Sequence, residues 1–128
     1  MNAGARAGNA GALWALSALA LVAMAAFVGL SGIGPPPCPF RALTGLPCAT
    51  CGGTRAAVAL LRLDVREALR LNPLAAVALP MFVASGLVAG ALALLGRPVP
   101  EPRPSLPLRA AALAAIAANW VYLVAVGR

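Results

Sequence analysis

The feature that most constrains this chain is an uncharged run from Leu13 to Ile33, LWALSALALVAMAAFVGLSGI, too long and too apolar for a helix on a water-soluble domain. At 1.5 Å per residue, a helix of that length crosses a hydrocarbon core about 30 Å thick. A cleaved signal peptide is the competing reading, because Arg6 and the Ala-x-Ala at Ala23 to Ala25 imitate one. The apolar run continues past that point, so an uncleaved span is expected. A second run, Leu74 to Leu95, is entered through Asn72 and Pro73, with asparagine as helix cap and proline in the first turn, where its missing N–H costs nothing. Pro80 inside it predicts a kink. A third, shorter run extends from Leu108 to Val126, with Arg109 anchoring one end and Trp120 and Tyr122 as interfacial aromatics near the other.

Composition supports that reading. The chain is 62% hydrophobic and 10% charged, far from the balance of a soluble domain. Its net charge of +7 comes from arginines that flank apolar runs, with few aromatics interleaved. Such a pattern fits phospholipid headgroups and excludes a nucleic-acid groove. Heavy use of alanine and arginine with no lysine suggests a GC-rich bacterial genome, and hence the bacterial cell membrane. Histidine is absent, which removes the Ser-His-Asp arrangement and every imidazole metal ligand.

The expected fold is therefore all-α: one integral membrane domain, residues 1–128, forming a three-helix bundle. Span one is 13–33, span two 73–95 and span three 108–126. A cysteine-bearing loop with short amphipathic interfacial helices fills 34–72, and a Pro-rich extended connection fills 96–107. Gly86 and Gly90 form a G-x-x-x-G pair, expected to serve packing within the chain rather than a homodimer. Asn119 is expected to make an interhelical hydrogen bond.

Chemistry concentrates between the first two spans. Prolines 35–37 force an extended exit, and Pro39, Gly45, Pro47, Gly52 and Gly53 punctuate a loop holding all three cysteines, Cys38, Cys48 and Cys51. Thr54 is expected to cap a helix through TRAAVALLR. Asp64 with Glu67 makes an aspartate variant of the capping box for a helix through VREALRL. On one helical wheel Arg62, Arg66 and Arg70 line up beside an apolar face, a pattern suited to lipid phosphates.

The spacing C-x9-C-x2-C leaves three readings open: a loop staple or partner-binding cap without turnover, a thiol–disulfide pair, and a thiolate metal site. As a redox pair, Cys48 and Cys51 stand near a helix amino end with Arg55 close by, the condition for a stabilised thiolate, and Cys38 is a third, resolving thiol. As a zinc site, Cys38, Cys48 and Cys51 need a fourth ligand from Asp64, Glu67, water or another chain. A c-type haem is excluded because Gly52 stands where a histidine must follow Cys51. No cofactor is implied, and the expected partners are membrane lipids together with a protein partner or a second copy. Arginines count six to four in favour of the side holding the cysteine segment (41, 55, 62, 66, 70, 128 against 6, 97, 103, 109), which favours a cytoplasmic loop.

These residues resemble a family of small bacterial membrane proteins, domain of unknown function twenty-seven fifty-two, whose core reads C-P-F, T-G-x-x-C-P-x-C-G-x-T-R-A and N-P. The matching residues are Cys38, Pro39 and Phe40, then Thr44, Gly45, Cys48, Cys51, Gly52, Thr54, Arg55 and Ala56, then Asn72 and Pro73. Ala49 departs from the family's proline, and Leu63 stands where a glycine commonly precedes Asp64. The resemblance implies a membrane topology and marks this segment. It implies no activity. In the reading of the loop as a structural or partner-binding cap, Thr44, Thr54 and Arg55 are expected to orient and cap it, with Arg55 also able to bind an anionic group at the helix end.

Overall fold

Six helices follow one another in the computed structural model, which describes residues 3–34, 37–97, 99 and 104–127, with side chains from Asn9 onward. They are α1 (Ala3–Ser31), α2 (Pro39–Thr44), α3 (Gly53–Leu61), α4 (Val65–Leu71), α5 (Pro73–Leu94) and α6 (Leu106–Ala125). Three are long and apolar enough to cross a membrane: α1 over Asn9–Ser31, α5 and α6, the last being the least apolar. The all-α membrane architecture with short helices between the first two spans is thus borne out. Large side chains such as Leu16, Met24, Leu30, Met81 and Leu94 are exposed, as expected where lipid rather than water is the solvent.

Helices α1 and α5 pack along their length through small residues. A Cβ at Gly86 would lie 2.8 Å from the Ala18 Cβ, and one at Gly90 would lie 2.7 Å from the Ala15 Cβ. Gly11 answers from α1, where a Cβ would lie 2.9 Å from the Ala89 carbonyl oxygen. With no hydrophobic driving force between helices in lipid, such close backbone approach supplies the dispersion energy of association. The glycine pair of α5 therefore serves contact within the chain. Trp14 covers the same seam, its ring 6.1 Å from that of Phe82.

Helix α6 joins differently. From Leu106 to Ala118 its residues are exposed, and Asn119 and Leu123 near its carboxyl end are buried. Pro107 occupies its first turn, so the helix starts two residues before the predicted Leu108; a proline there is tolerated because the first N–H groups have no partner to lose. The middle of the Pro-rich connection (Pro98, Pro100, Glu101, Pro102 and Arg103) lies outside the described residues, as do Pro35, Pro36, Arg128 and the side chain of Arg6. Two of the arginines counted for orientation therefore have no described position, and Arg6 has only a backbone.

Between α1 and α5 the chain folds into a helical hairpin. Ala56 and Ala59 of α3, Ala68 and Leu71 of α4 and Ala76 of α5 form one buried cluster. Asp64 caps α4 by accepting the Glu67 N–H at 2.9 Å, while its own N–H donates to the Ala59 carbonyl instead of closing a capping box. The single helical wheel predicted for Arg62, Arg66 and Arg70 is broken between Arg62 and Asp64. Leu63 has φ 61°, a left-handed turn that separates α3 from α4. Arg62 reaches back to the Gly29 carbonyl at 3.5 Å, near the carboxyl end of α1, where a cation complements the helix dipole. Arg66 and Arg70 stay exposed on α4.

Leu63 is 86% exposed and gains little from its side chain. A left-handed conformation costs a leucine about 1–2 kcal/mol, and glycine returns about 0.4–1 kcal/mol of that through unfolded-state entropy. Leu63→Gly is expected to raise stability by roughly 0.5–1 kcal/mol in detergent unfolding titrations. A loss of stability would show that this turn is not strained.

Candidate functional site

The three cysteines reach one place from three local structures. Cys38 precedes α2, whose start is set by Pro39 in its first turn and whose end is set by Gly45 at φ 74°. This short helix replaces the expected irregular loop. Proline at the first position and left-handed glycine just past the last are helix boundary signals, here read as loop punctuation. Thr44 closes it, donating to the Phe40 carbonyl at 2.7 Å and accepting the Leu46 N–H at 3.3 Å. Cys48 and Cys51 lie on the turn before α3, with the Cys51 N–H bonded to the Cys48 carbonyl at 3.0 Å. The cap of α3 is Gly52, at φ 80°, and no side chain caps it, so Thr54 lies inside the first turn instead of at its cap. Gly52 also abuts the Leu71 carbonyl oxygen, 2.9 Å from where a Cβ would stand. Threonine could not fill that position, because it allows neither the left-handed backbone nor the space.

The loop is clamped to the membrane helices by two buried asparagines. Asn72, 1% exposed, caps α5 by accepting the Ala75 N–H at 2.9 Å. Its amide donates to the carbonyls of Ala49 at 3.2 Å and Cys51 at 3.1 Å. Asn119 of α6, 5% exposed, donates to the same Ala49 carbonyl at 2.9 Å and accepts the Leu74 N–H at 3.0 Å. Two further donors from α6 complete the attachment: Trp120 Nε1 to the Pro47 carbonyl at 2.9 Å, and the Tyr122 hydroxyl to the Arg70 carbonyl at 3.1 Å. The two aromatics expected as interfacial anchors thus also hold the cysteine segment.

So held, the thiols converge. Cys48 Sγ lies 3.3 Å from Cys38 Sγ and 3.5 Å from Cys51 Sγ, and all three sulfurs fall within 4.8 Å of one another. All three are free thiols. They face a cavity of about 660 Å³ also lined by Arg41, Thr50, Thr54 and Arg55. A second cavity of about 420 Å³ lies on the far side of Thr50, Gly53 and Thr54, toward α1 and α5; its lining is largely apolar and includes no cysteine.

The two motif cysteines are unlike. Cys48 is lowered from 9.0 to about 7, first by the Thr50 hydroxyl 3.3 Å away and further by hydrogen bonds from Cys38 and Cys51, against a smaller opposing effect of burial. Cys51, 9% exposed, is raised to about 11, first by burial and then by its bond with Cys48. Arg55, expected to stabilise the thiolate, is not among the causes. Thr50 is, and neither its place beside Cys48 nor that of Arg41 on the cavity wall was anticipated. Thr50 lies within the C-x-x-C turn, so a hydroxyl two residues after a cysteine was the available signal.

As a metal site the cluster offers three sulfurs. Thiolates bound tetrahedrally to zinc at 2.3 Å lie about 3.8 Å apart, comparable to the spacings seen. No carboxylate joins them among the described residues. Asp64 is engaged in capping α4, and neither it nor Glu67 lines the cavity, so the fourth ligand expected from them is not supplied.

Residues 38–86 match the family model described as Protein of unknown function (DUF2752). The resemblance read from the cysteine motif is borne out. The DUF2752 segment runs from Cys38 to Gly86 and so holds all three thiols, Thr50, both cavity arginines and Asn72, while Asn119, Trp120 and Tyr122 lie beyond it. No curated protein and no solved structure matches the chain.

A thiol at about 7 is half ionised at neutral pH, against about one part in a hundred for a thiol at 9.0. Iodoacetamide should therefore label Cys48 before Cys51, with a rate–pH midpoint for Cys48 of about 7. Thr50→Val should move that midpoint up toward 9, as read by peptide mass spectrometry. An unchanged midpoint would remove Thr50 from the account.

Proposed function

We propose that this membrane protein is a thiol–disulfide exchange protein in which Cys48 is the attacking thiol. The observation that carries the reading is the position of the Cys48 sulfur, 3.3 and 3.5 Å from two other free thiols on the wall of an open cavity. Exchange needs an accessible thiolate and a second thiol within reach of the mixed disulfide it forms. Cys48 meets the first requirement and Cys51 the second, with Cys38 as an alternative resolving group. The unequal ionisation of Cys48 and Cys51 supports this division of labour, because the thiol that is the thiolate at neutral pH attacks first.

The step balances without any other reagent. The Cys48 thiolate attacks one sulfur of a disulfide R–S–S–R, forming Cys48–S–S–R and releasing R–S⁻. Cys51 then gives up its proton to that leaving thiolate and attacks the Cys48 sulfur, releasing the second R–S⁻ and leaving a Cys48–Cys51 disulfide. Two cysteine thiols are oxidised and one external disulfide is reduced.

A cap that only binds a partner or staples the loop uses the same residues without turnover. In that case replacing the cysteines changes stability or assembly alone. The exposed Arg66 and Arg70 on α4 suit lipid phosphates. The arginine count supports a cytoplasmic cysteine segment in a bacterial cell membrane, a compartment that keeps such thiols reduced.

Purified reduced protein in detergent should exchange with a dissolved disulfide and accumulate a mixed disulfide on Cys48 in Cys38→Ser/Cys51→Ser. Cys48→Ser should lower the rate about tenfold or more, because the buried Cys51 is far less ionised at neutral pH even though its thiolate is the stronger nucleophile. Exchange that persists undiminished in Cys48→Ser, or is absent from the native protein, contradicts the proposal.

A further inference from the structure

We infer that the cavity beside Cys48 is a subsite for a small anionic disulfide, a low-molecular-weight compound whose carboxylates are held by Arg41 and Arg55 while its sulfur meets Cys48. The inference rests on the exchange reading and adds a substrate class to it.

Three observations lead there. The first is sign. Arg41 comes from α2 and Arg55 from α3, both line the thiol cavity, and no carboxylate lines it among the described residues. Asp64 and Glu67 lie at the turn between α3 and α4 and in α4, outside the lining. The second is engagement. Among the described residues neither guanidinium has a carboxylate partner, and the one bond found is a long contact of Arg41 with the Gly127 carbonyl, 3.4 Å. Guanidinium groups are planar forks matched to carboxylates, so two of them lining one cavity can receive a dicarboxylate. The third is size and access. A cavity of about 660 Å³ falls in the range that encloses a small organic ligand, and its walls include Cys38, Cys48 and Cys51 together. The apolar cavity behind Thr50 includes no thiol, so a reacting disulfide enters from the arginine side.

The arginines have a role separable from thiol activation. The Cys48 thiolate is favoured by Thr50 and by its neighbouring thiols. Removing the guanidinium charges therefore alters which disulfide is accepted more than how reactive the sulfur is.

The test compares three dissolved disulfides with the full-length reduced protein in an uncharged detergent: glutathione disulfide (anionic), bis(2-hydroxyethyl) disulfide (neutral) and cystamine (cationic). Each rate is divided by that disulfide's rate with a simple model thiol, which removes intrinsic differences in reactivity. The proposal expects glutathione disulfide to lead the neutral compound by about tenfold and cystamine to trail it. In Arg41→Gln/Arg55→Gln the three should converge to within about twofold, whereas Arg66→Gln, which removes a charge outside the cavity, should leave the order intact. In the native protein the anionic preference should also shrink as salt rises toward about 0.5 M, an arm that holds even when the double variant folds poorly. Equal normalised rates, or a preference that salt and the double variant both leave unchanged, would overturn the subsite while leaving exchange standing. Absence of exchange through Cys48 with all three disulfides would overturn the underlying reading.

Discussion

The structure depends on how a stretch of irregular backbone is held at the end of a membrane helix bundle. Carbonyl groups buried there cannot be left without donors, since an unsatisfied buried polar group costs about 1–3 kcal/mol. Asn72 and Asn119 meet that constraint together. Both donate to the Ala49 carbonyl, in the middle of the C-x-x-C turn, and both also accept a first-turn N–H of α5. One pair of amides thus caps a membrane helix and fixes the cysteine turn on it. Trp120 extends the clamp to Pro47, so α6, otherwise exposed along most of its length, is committed to the loop by its carboxyl end.

The unequal environments of the two motif thiols follow from that clamp. Holding the Cys51 carbonyl against Asn72 keeps Cys51 at the buried side of the turn, where desolvation favours the neutral thiol. Cys48, three residues earlier, faces the cavity with Thr50 beside it. Gly52 makes the turn possible, because only a residue without a side chain fits both its left-handed backbone and the Leu71 carbonyl behind it. The chemistry proposed for the site is a consequence of this local geometry and needs no group beyond it.

The membrane spans were legible because an uncharged apolar run has few alternative structures. The caps at Asp64 and Asn72 were legible because a side-chain oxygen placed just before a helix has a specific donor to meet. The α2 helix was missed because Pro39 and Gly45, its start and stop signals, are also the residues that punctuate loops. The strain at Leu63 was half visible, as a leucine at a position where the family resemblance leads one to expect glycine, and its left-handed backbone bears that tension. What the sequence could not show was convergence. Cys38 is brought to Cys48 by the length and direction of α2, and Ala49 is brought to Asn119 by contacts across 70 positions, and neither relation leaves a local pattern. The charge of Arg55 is visible in the sequence, whereas the position of the Thr50 hydroxyl beside Cys48, which favours the thiolate, depends on the fold of the turn.

The clamp can be measured through the residue it buries. In Cys38→Ser/Cys48→Ser protein, the alkylation rate of Cys51 at fixed pH, normalised to the unfolded chain, reports how often the turn opens. Asn119→Leu removes the donor to Ala49 with little change of volume, and loss of such bonds should raise that rate about tenfold or more. A rate unchanged within about twofold would mean that the asparagines do not hold the cysteine turn in place.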